Sequence, residues 1–230
     1  MSIRALLFDL DNTLIDFMRM KRLASDAAAR AMVRAGADFP FDLQESGDIL
    51  FGAYLDDIEG DGVFTRFVDA NDLGEAGNRR ERIVAAAVNA YLRVKVNHLE
   101  PYPTVRPTLL ELARRGFKLG ILTDAPRFKA YQRLDAAGLT DFFPVIVTGT
   151  DSGTQKPDPA AFQAALGALG VTAAETLMVG DWPERDMAGG KSAGLRTAWA
   201  SYGSTWPEKP SEADHVLQRF ADVLKVTSLY

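Results

Sequence analysis

Short apolar segments alternate with helical segments through much of the chain, and this alternation constrains the fold more than any other feature of the sequence. Five segments have the length and composition of buried strands: IRALLF (3–8), FKLGILT (117–123), FFPVIVT (142–148), TLMVG (176–180) and RTAWA (196–200). Between the last four lie segments with apolar residues at helical spacing and a glycine near their ends, such as DPAAFQAALGALG. This rhythm predicts an α/β fold with a doubly wound parallel sheet.

The segment that follows the first strand breaks the rhythm, because it offers several helical stretches and no convincing strand. We therefore predict a helical cap domain at residues 16–101, inserted into a core domain formed by residues 1–15 and 102–230. In a doubly wound sheet, ligands bind outside the carboxyl ends of the strands. An insert that leaves the end of the first strand would therefore lie over the site as a lid.

Three helix boundaries are indicated within the insert. The first helical stretch ends at Gly36, and a second begins at Asp42 with Glu45 three residues later, which is a capping-box pattern. We expect Asn78 to cap the last stretch, since asparagine is a favoured N-cap residue. The alanine, methionine and valine residues of these stretches are interpreted as packing positions.

Composition and charge limit the partners of the protein. The chain has 230 residues, of which 47% are hydrophobic, so it can bury a sizeable core. The net charge is −5, and no dense run of lysine and arginine provides the basic surface that nucleic acid requires. No apolar run reaches the roughly 20 residues that span a membrane, and the absence of cysteine excludes a disulfide framework. These features favour a cytoplasmic protein with neither nucleic acid nor membrane as partner.

Two carboxylates follow the first strand directly, in the stretch FDLDNTLID (8–16). An isolated Asp-x-Asp is most often a turn, because aspartate ends strands and starts turns. However, side chains two residues apart on a strand project to the same side, so Asp9 and Asp11 can address one ligand. Whether they do depends on the residues at the ends of the other strands.

Three further strand ends carry polar groups. Thr123 ends the second strand, Lys156 follows the third just ahead of a helix start, and Asp181 with Asp186 follows the fourth. Taken singly, each has an ordinary interpretation: a strand-end hydroxyl, a solvated lysine or a turn carboxylate. Asp158 is expected to cap the helix after Lys156, with proline in its first turn.

Together these groups predict one phosphate site with a metal ion. Converging carboxylates repel one another unless a hard cation neutralises them, and Mg²⁺ prefers oxygen ligands. We therefore predict that Mg²⁺ is held among Asp9, Asp11, Asp181 and Asp186. Thr123 and Lys156 would bind the phosphate oxygens that the metal leaves free.

The ordered set resembles the motifs of the haloacid dehalogenase superfamily of phosphatases. The first motif, Asp-x-Asp-x-Thr/Val, is matched by Asp9, Asp11 and Thr13, the second by Thr123, the third by Lys156, and the fourth by Gly180, Asp181 and Asp186. The resemblance covers essentially the whole chain. The second motif departs from the pattern: it reads TDAP where many relatives have Thr-Asn-Gly, so Asp124 adds a negative charge near the phosphate site and Ala125 cannot match a glycine at positive φ.

The resemblance implies a mechanism with an aspartyl-phosphate intermediate. Asp9 would attack phosphorus, and Asp11 would protonate the leaving alcohol and then deprotonate the attacking water. Mg²⁺ would be held by the carboxylates of Asp9 and Asp181 and the backbone carbonyl of Asp11, with Asp186 close by. Thr13 would support the loop and orient Asp11.

Several alternatives share this residue pattern. A sugar phosphomutase or a nucleotide or phosphoglycolate phosphatase could use the same motifs. A dehalogenase needs no proton donor to the leaving halide, so Asp11 argues against it. A receiver-type signalling module also forms an aspartyl-phosphate, but such modules are about half as long and lack the insert.

The substrate implied by the resemblance is a small phosphorylated metabolite. The run from FDLDNTLID to GDWPERDMAGGKSAGLRTAW looks like the archaeal-type glyceraldehyde 3-phosphate phosphatases of this superfamily, so a triose phosphate is the leading candidate. Residues near the boundaries of the insert are the candidates for specificity: Asp16, Phe17, Arg19, Tyr102 and Arg106. His98 and His215 lack companions at metal-ligand spacing and are interpreted as structural.

Overall fold

The computed structural model describes residues 2–40, 42–56, 62–73, 77–205 and 213–230. The chain forms two compact units. The first comprises Met1–Asp16 and Glu100–Tyr230, and the second comprises Phe17–Leu99. Among the described residues, no helix is both long and apolar enough to cross a membrane.

Within the described part of the first unit, six parallel strands form one sheet in the order β3-β2-β1-β4-β5-β6. They are β1 (Ala5–Phe8), β2 (Lys118–Thr123), β3 (Val145–Thr148), β4 (Thr176–Gly180), β5 (Arg196–Ala200) and β6 (His215–Leu217). The prediction of an α/β fold with a parallel sheet is confirmed, and all five predicted strands are present. The sixth strand escaped prediction because it has only three residues and lacks an apolar run.

The second unit contains the helices α1 (Phe17–Arg34), α2 (Leu43–Asp56), α3 (Val63–Ala70) and α4 (Asn78–Asn97). The capping pattern at the start of α2 is confirmed, because the Asp42 carboxylate accepts a hydrogen bond from the Glu45 backbone N–H at 2.8 Å. The expected cap at Asn78 is wrong. Asn78 is the first helical residue of α4, and the N-cap position is occupied by Gly77, which has no side chain to cap the helix.

The first unit adds helices on the strand connections: α5 (Val105–Arg114), α6 (Arg127–Ala136), α7 (Gly149–Ser152), α8 (Pro159–Leu169), α9 (Gly189–Ser192) and α10 (Val223–Thr227). A π-helical turn, Pro183–Ala188, precedes α9. The predicted cap of α8 is confirmed, since the Asp158 carboxylate accepts from the Ala160 N–H at 2.9 Å. The helix ends at Gly170, whose left-handed conformation (φ 62°) is accessible to glycine at no steric cost.

The sheet is buried on both faces, as parallel sheets generally are. Side chains alternate along β1, so Leu7 packs in a cluster with Phe162 of α8 on one face. Its neighbour Phe8 points to the other face, where its ring lies 6.0 Å from that of Phe143 and 5.7 Å from that of Phe220. Because apolar side chains cover both faces of the sheet, polar side chains that could act on a ligand are expected at the ends of its strands.

The second unit buries a lysine among aromatic rings. The Lys21 side chain of α1 is nearly fully buried, and its ammonium lies 4.2 Å from the ring centre of Tyr54, 5.3 Å from that of Phe17 and 5.5 Å from that of Tyr91. Tyr54 and Tyr91 stack on each other with centroids 5.1 Å apart. Desolvated cations over aromatic faces are stabilised electrostatically, so Lys21 joins α1 to α2 and α4.

We expect Lys21→Met to lower the free energy of unfolding by about 2 kcal/mol, because the apolar stem is kept and the buried cation is lost. Arg22→Met is the matched control, since Arg22 is adjacent on α1 but its cation, 5.2 Å from the Phe51 ring, is partly exposed. That control is expected to cost less than about 1 kcal/mol. Urea denaturation of both variants measures the difference, and equal losses would contradict the proposed contribution of the buried cation.

Candidate active site

The chain turns sharply just after β1. The Asp9 N–H donates to the Val179 carbonyl at 2.9 Å, so Asp9 still belongs to the edge where β1 and β4 end. Asn12 adopts a left-handed conformation (φ 57°) and donates its N–H to the Ile15 carbonyl at 2.8 Å. This turn separates the two motif carboxylates: Asp9 is buried, whereas the Asp11 carboxylate is ion-paired with Arg133 of α6.

Lys156 supplies a buried positive charge at the carboxyl ends of the strands. Its ammonium lies 2.5 Å from Asp9 Oδ1 and 2.7 Å from Asp186 Oδ1. Burial alone would lower the pKa of Lys156, but the carboxylates of Asp186, Asp9 and Asp124 outweigh that effect and raise it above its ordinary value. The two carboxylates that the Lys156 ammonium contacts therefore favour its charged form.

Three buried carboxylates meet at this point. Oxygen atoms of Asp9, Asp181 and Asp186 all lie within 4.8 Å of one another. Burial raises the pKa of Asp9 to about 7 even though the Lys156 ammonium opposes the shift. The pKa of Asp181 is also raised, first by burial and then by the charges of Asp9 and Asp186. Such a cluster is short of positive charge, and its hard oxygen donors fit a Mg²⁺ ion.

Neighbouring groups hold Asp181, which directly follows β4, and Asp186 in the turn after it. The Trp199 indole N–H donates to the Asp181 carbonyl at 2.7 Å, and the Thr13 hydroxyl donates to Asp181 Oδ1 at 3.4 Å. We expected Thr13 to orient Asp11, but its hydroxyl contacts Asp181. Asp186 Oδ2 accepts from the Trp182 N–H at 3.0 Å.

The absence of a side chain at Gly180 leaves room for the Asp186 carboxylate. A Cβ atom at this position would lie 2.3 Å from the Asp186 carboxyl carbon, far inside van der Waals contact. Because Asp186 is fully buried, its side chain cannot move aside to accommodate an added methyl group at position 180. The glycine of the fourth motif is thus required by the position of the motif's second aspartate.

The second motif ends β2. Thr123 is buried, and its hydroxyl accepts a hydrogen bond from the Ala125 N–H at 3.2 Å. The departures from the family pattern are accommodated: Ala125 does not adopt positive φ, and the Asp124 carboxylate lies 3.1 Å from the Arg185 guanidinium. Asp124 therefore does not present an unbalanced negative charge.

Arg133 was not identified from the sequence, although a signal for it existed. It is 2% exposed and donates to Asp11 Oδ2. In the sequence it falls on the same helical face as the buried residues Ala130, Leu134 and Ala137. A charged residue on an apolar face needs a buried partner, and the carboxylates after β1 were candidates.

The candidates for specificity in the first unit have different surroundings. Burial, followed by the Asp16 and Asp181 charges, raises the pKa of Tyr102 above its ordinary range, and its ring packs edge-on against Tyr202 at 5.0 Å. Arg106 instead donates to the Ala137 carbonyl at 2.6 Å, at the end of α6. This helix-capping role of Arg106 argues against its assignment to specificity.

The candidates in the second unit also differ in burial. Phe17 is buried and packs against Lys21, whereas Arg19 is exposed.

The two histidines were interpreted as structural. His215 Nε2 lies 2.8 Å from the Tyr230 hydroxyl, and His98 follows the last turn of α4.

The parallel sheet and the buried carboxylates at its carboxyl edge define the core of a class of hydrolases that use strand-end aspartates. Residues 3–194 match the family model of the haloacid dehalogenase-like hydrolases, and the chain belongs to this family.

Relatives and a solved structure cover nearly the whole chain. A glyceraldehyde 3-phosphate phosphatase from Pyrococcus furiosus is 32% identical over 97% of this chain and 92% of its own length. A phosphoglycolate phosphatase from Yersinia pestis is 31% identical over 99% and 94%, respectively. The crystal structure of a haloacid dehalogenase phosphatase from Thermococcus onnurineus superposes with a TM-score of 0.64 and 25% identity over 97% of each chain. The family resemblance inferred from the motifs is therefore confirmed.

We expect Gly180→Ala to cost about 1 to 3 kcal/mol of stability, because the added methyl group overpacks the space held by Asp186. Gly167→Ala is the control: it lies within α8 with nothing within 4 Å of an added Cβ, and alanine favours helix. Thermal unfolding should show a lower midpoint for the first variant and an unchanged or higher midpoint for the second. A Gly180→Ala protein as stable as the wild type would contradict the close packing of Asp186.

Proposed function

We propose that the protein is a Mg²⁺-dependent phosphatase that hydrolyses a small phosphate monoester, with a triose phosphate such as glyceraldehyde 3-phosphate as the leading candidate. The observation that carries this proposal is the buried cluster of Asp9, Asp181 and Asp186, in which the Lys156 ammonium contacts Asp9 and Asp186. The Pyrococcus furiosus relative supports a triose phosphate. The Yersinia pestis relative makes phosphoglycolate the second candidate.

In the proposed reaction, an Asp9 oxygen attacks phosphorus while the bond from phosphorus to the alcohol oxygen breaks. For this step the Asp11 carboxyl must be protonated and released from Arg133. It then gives its proton to that alcohol, so the alcohol oxygen leaves uncharged and Asp9 carries the phosphoryl group. A water molecule then attacks phosphorus, and Asp11 takes the proton from the water. This second step releases inorganic phosphate and regenerates the Asp9 carboxylate.

The remaining groups would bind the metal ion and the phosphate oxygens and neutralise their charges. The carboxylates of Asp9, Asp181 and Asp186 would hold Mg²⁺ together with the backbone carbonyl of Asp11. When bound, the ion offsets the charge of the carboxylates and the phosphoryl group, so that an anionic nucleophile can approach an anionic ester. The Lys156 ammonium already lies at hydrogen-bond distance from Asp9, where the phosphoryl group would arrive. It would bind the phosphate oxygens with the Thr123 hydroxyl.

We expect Asp9→Asn to reduce phosphate release by several orders of magnitude while the fold is retained, because an amide is a poor nucleophile of nearly the same shape. Asp42→Asn is the control, since asparagine caps a helix as well as aspartate does and Asp42 caps α2. Turnover should also stop on exhaustive chelation and return with added Mg²⁺. A folded Asp9→Asn variant with substantial turnover would refute the assigned nucleophile, and full activity after chelation would refute the metal requirement.

We expect glyceraldehyde 3-phosphate to be hydrolysed with a higher kcat/KM than hexose phosphates, phosphoglycolate or nucleoside monophosphates. Release of inorganic phosphate from each ester, measured with Mg²⁺, gives the ranking. A higher kcat/KM for phosphoglycolate would establish the second candidate. Preferred hydrolysis of nucleotides would reject the small-substrate assignment and leave the catalytic one in place. Transfer of the phosphoryl group to a sugar without release of phosphate would instead establish a phosphomutase.

A further inference from the structure

The Asp124 carboxylate bridges two segments that are distant in sequence. Its Oδ1 accepts the backbone N–H of Lys156 at 2.9 Å, and its Oδ2 accepts from Arg185 Nη1 at 3.1 Å. The side chain of Asp124 is only 16% exposed. Because Asp124 directly follows Thr123 at the end of β2, one side chain connects the ends of β2 and β4 with the segment before α8.

The first of these contacts controls where the Lys156 side chain begins. Lys156 lies in the connection between α7 and α8, where no strand fixes the backbone. Its N–H is held by Asp124, while its ammonium reaches Asp9 and Asp186. A shift of this backbone would move the ammonium relative to the hydroxyl of Thr123, the other group proposed to bind phosphate.

The second contact stabilises the turn that carries Asp186. Arg185 precedes Asp186 in the π-helical turn Pro183–Ala188, and its guanidinium lies 4.2 Å from the ring centre of Trp182. The Trp182 N–H in turn donates to Asp186 Oδ2. The pair of Asp124 and Arg185 therefore ties the second motif to the turn of the fourth.

We propose that Asp124 is a positioning residue that sets the spacing of Thr123, Lys156 and Asp186 through its bonds to the Lys156 backbone and to Arg185. Its catalytic consequence rests on the proposed phosphatase function, but its structural consequence does not. Asparagine at this position would keep an acceptor for the Lys156 N–H and lose the charge that attracts Arg185. Leucine would lose both interactions and leave a buried N–H without its acceptor.

The test compares Asp124→Asn, Asp124→Leu, Arg185→Leu and the double variant Asp124→Asn with Arg185→Leu. Glu111→Gln is the control, because Glu111 also pairs with arginines but lies on the exposed surface of α5. The first readout is exchange of the Lys156 amide hydrogen measured by NMR, which needs no enzymatic activity. The second is the affinity for inorganic phosphate in the presence of Mg²⁺, followed by calorimetry, and the third is kcat and KM.

We expect Asp124→Leu to speed exchange of the Lys156 amide and to weaken phosphate affinity by roughly tenfold or more, as for a buried donor that loses its acceptor. Asp124→Asn should retain amide protection and weaken phosphate affinity by about threefold, the size expected for a partly exposed ion pair. Arg185→Leu should match that effect, and the double variant should be no worse than either single change. Glu111→Gln should leave all three readouts unchanged.

Unchanged exchange of the Lys156 amide in Asp124→Leu would overturn the proposal, and so would additive effects of the two paired positions on phosphate affinity. Wild-type protein that neither binds phosphate nor hydrolyses esters would refute the proposed phosphatase function. In that outcome, amide exchange in the leucine variant still decides whether Asp124 positions Lys156.

Discussion

The attraction between the Lys156 ammonium and the carboxylates around it is the interaction on which the rest of the site depends. Buried carboxylates are costly unless they are paired, and three of them at one point would repel each other strongly. The ammonium contacts Asp9 and Asp186 directly, so it joins the end of β1 to the turn after β4. Parallel strands make this arrangement accessible, because their carboxyl ends meet at one edge. The Lys156 ammonium thus offsets part of the negative charge of the three carboxylates.

Unusual backbone conformations surround Lys156 and the carboxylates that it contacts. Asp186 can approach Lys156 only because the residue opposite it, Gly180, has no side chain. It also lies in a π-helical turn, a rare conformation that is frequent at functional sites. Asn12 adopts a left-handed backbone in the turn that directs Asp9 and Asp11 to different partners. A regular strand could not direct Asp9 and Asp11 to different partners, because side chains two residues apart on a strand point to the same face.

The sequence predicted the features that depend on local signals. Apolar runs marked β1 to β5, and the pairs of Asp42 with Glu45 and of Asp158 with a following proline marked the starts of α2 and α8. β6 was missed because a three-residue edge strand carries little periodicity. Asn78 was misassigned because a residue that favours N-caps also fits the first turn of a helix, and Gly77 precedes it.

The members of the site were easier to predict than their contacts. From their positions after the strands we expected Asp9, Thr123, Lys156 and Asp181 at one edge of the sheet, but the sequence could not show that Thr13 contacts Asp181. Nor did we identify the pairing of Asp11 with Arg133, which is 122 positions away in sequence. Such contacts depend on which loops the sheet brings together, and no periodic pattern records that. They are nevertheless the contacts that determine the direction of each carboxylate.

The second motif shows how a local departure from a family pattern is compensated at a distance. An aspartate beside Thr123, which we propose binds phosphate, would repel an anionic ester if its charge stood alone. In this protein the Asp124 carboxylate is paired with the guanidinium of Arg185, 61 positions later in the sequence. The same carboxylate accepts the Lys156 N–H. The extra charge therefore holds in place the cation and the turn that the site requires. A motif residue that looks unfavourable by itself should be judged together with the opposite charge that the fold brings to it.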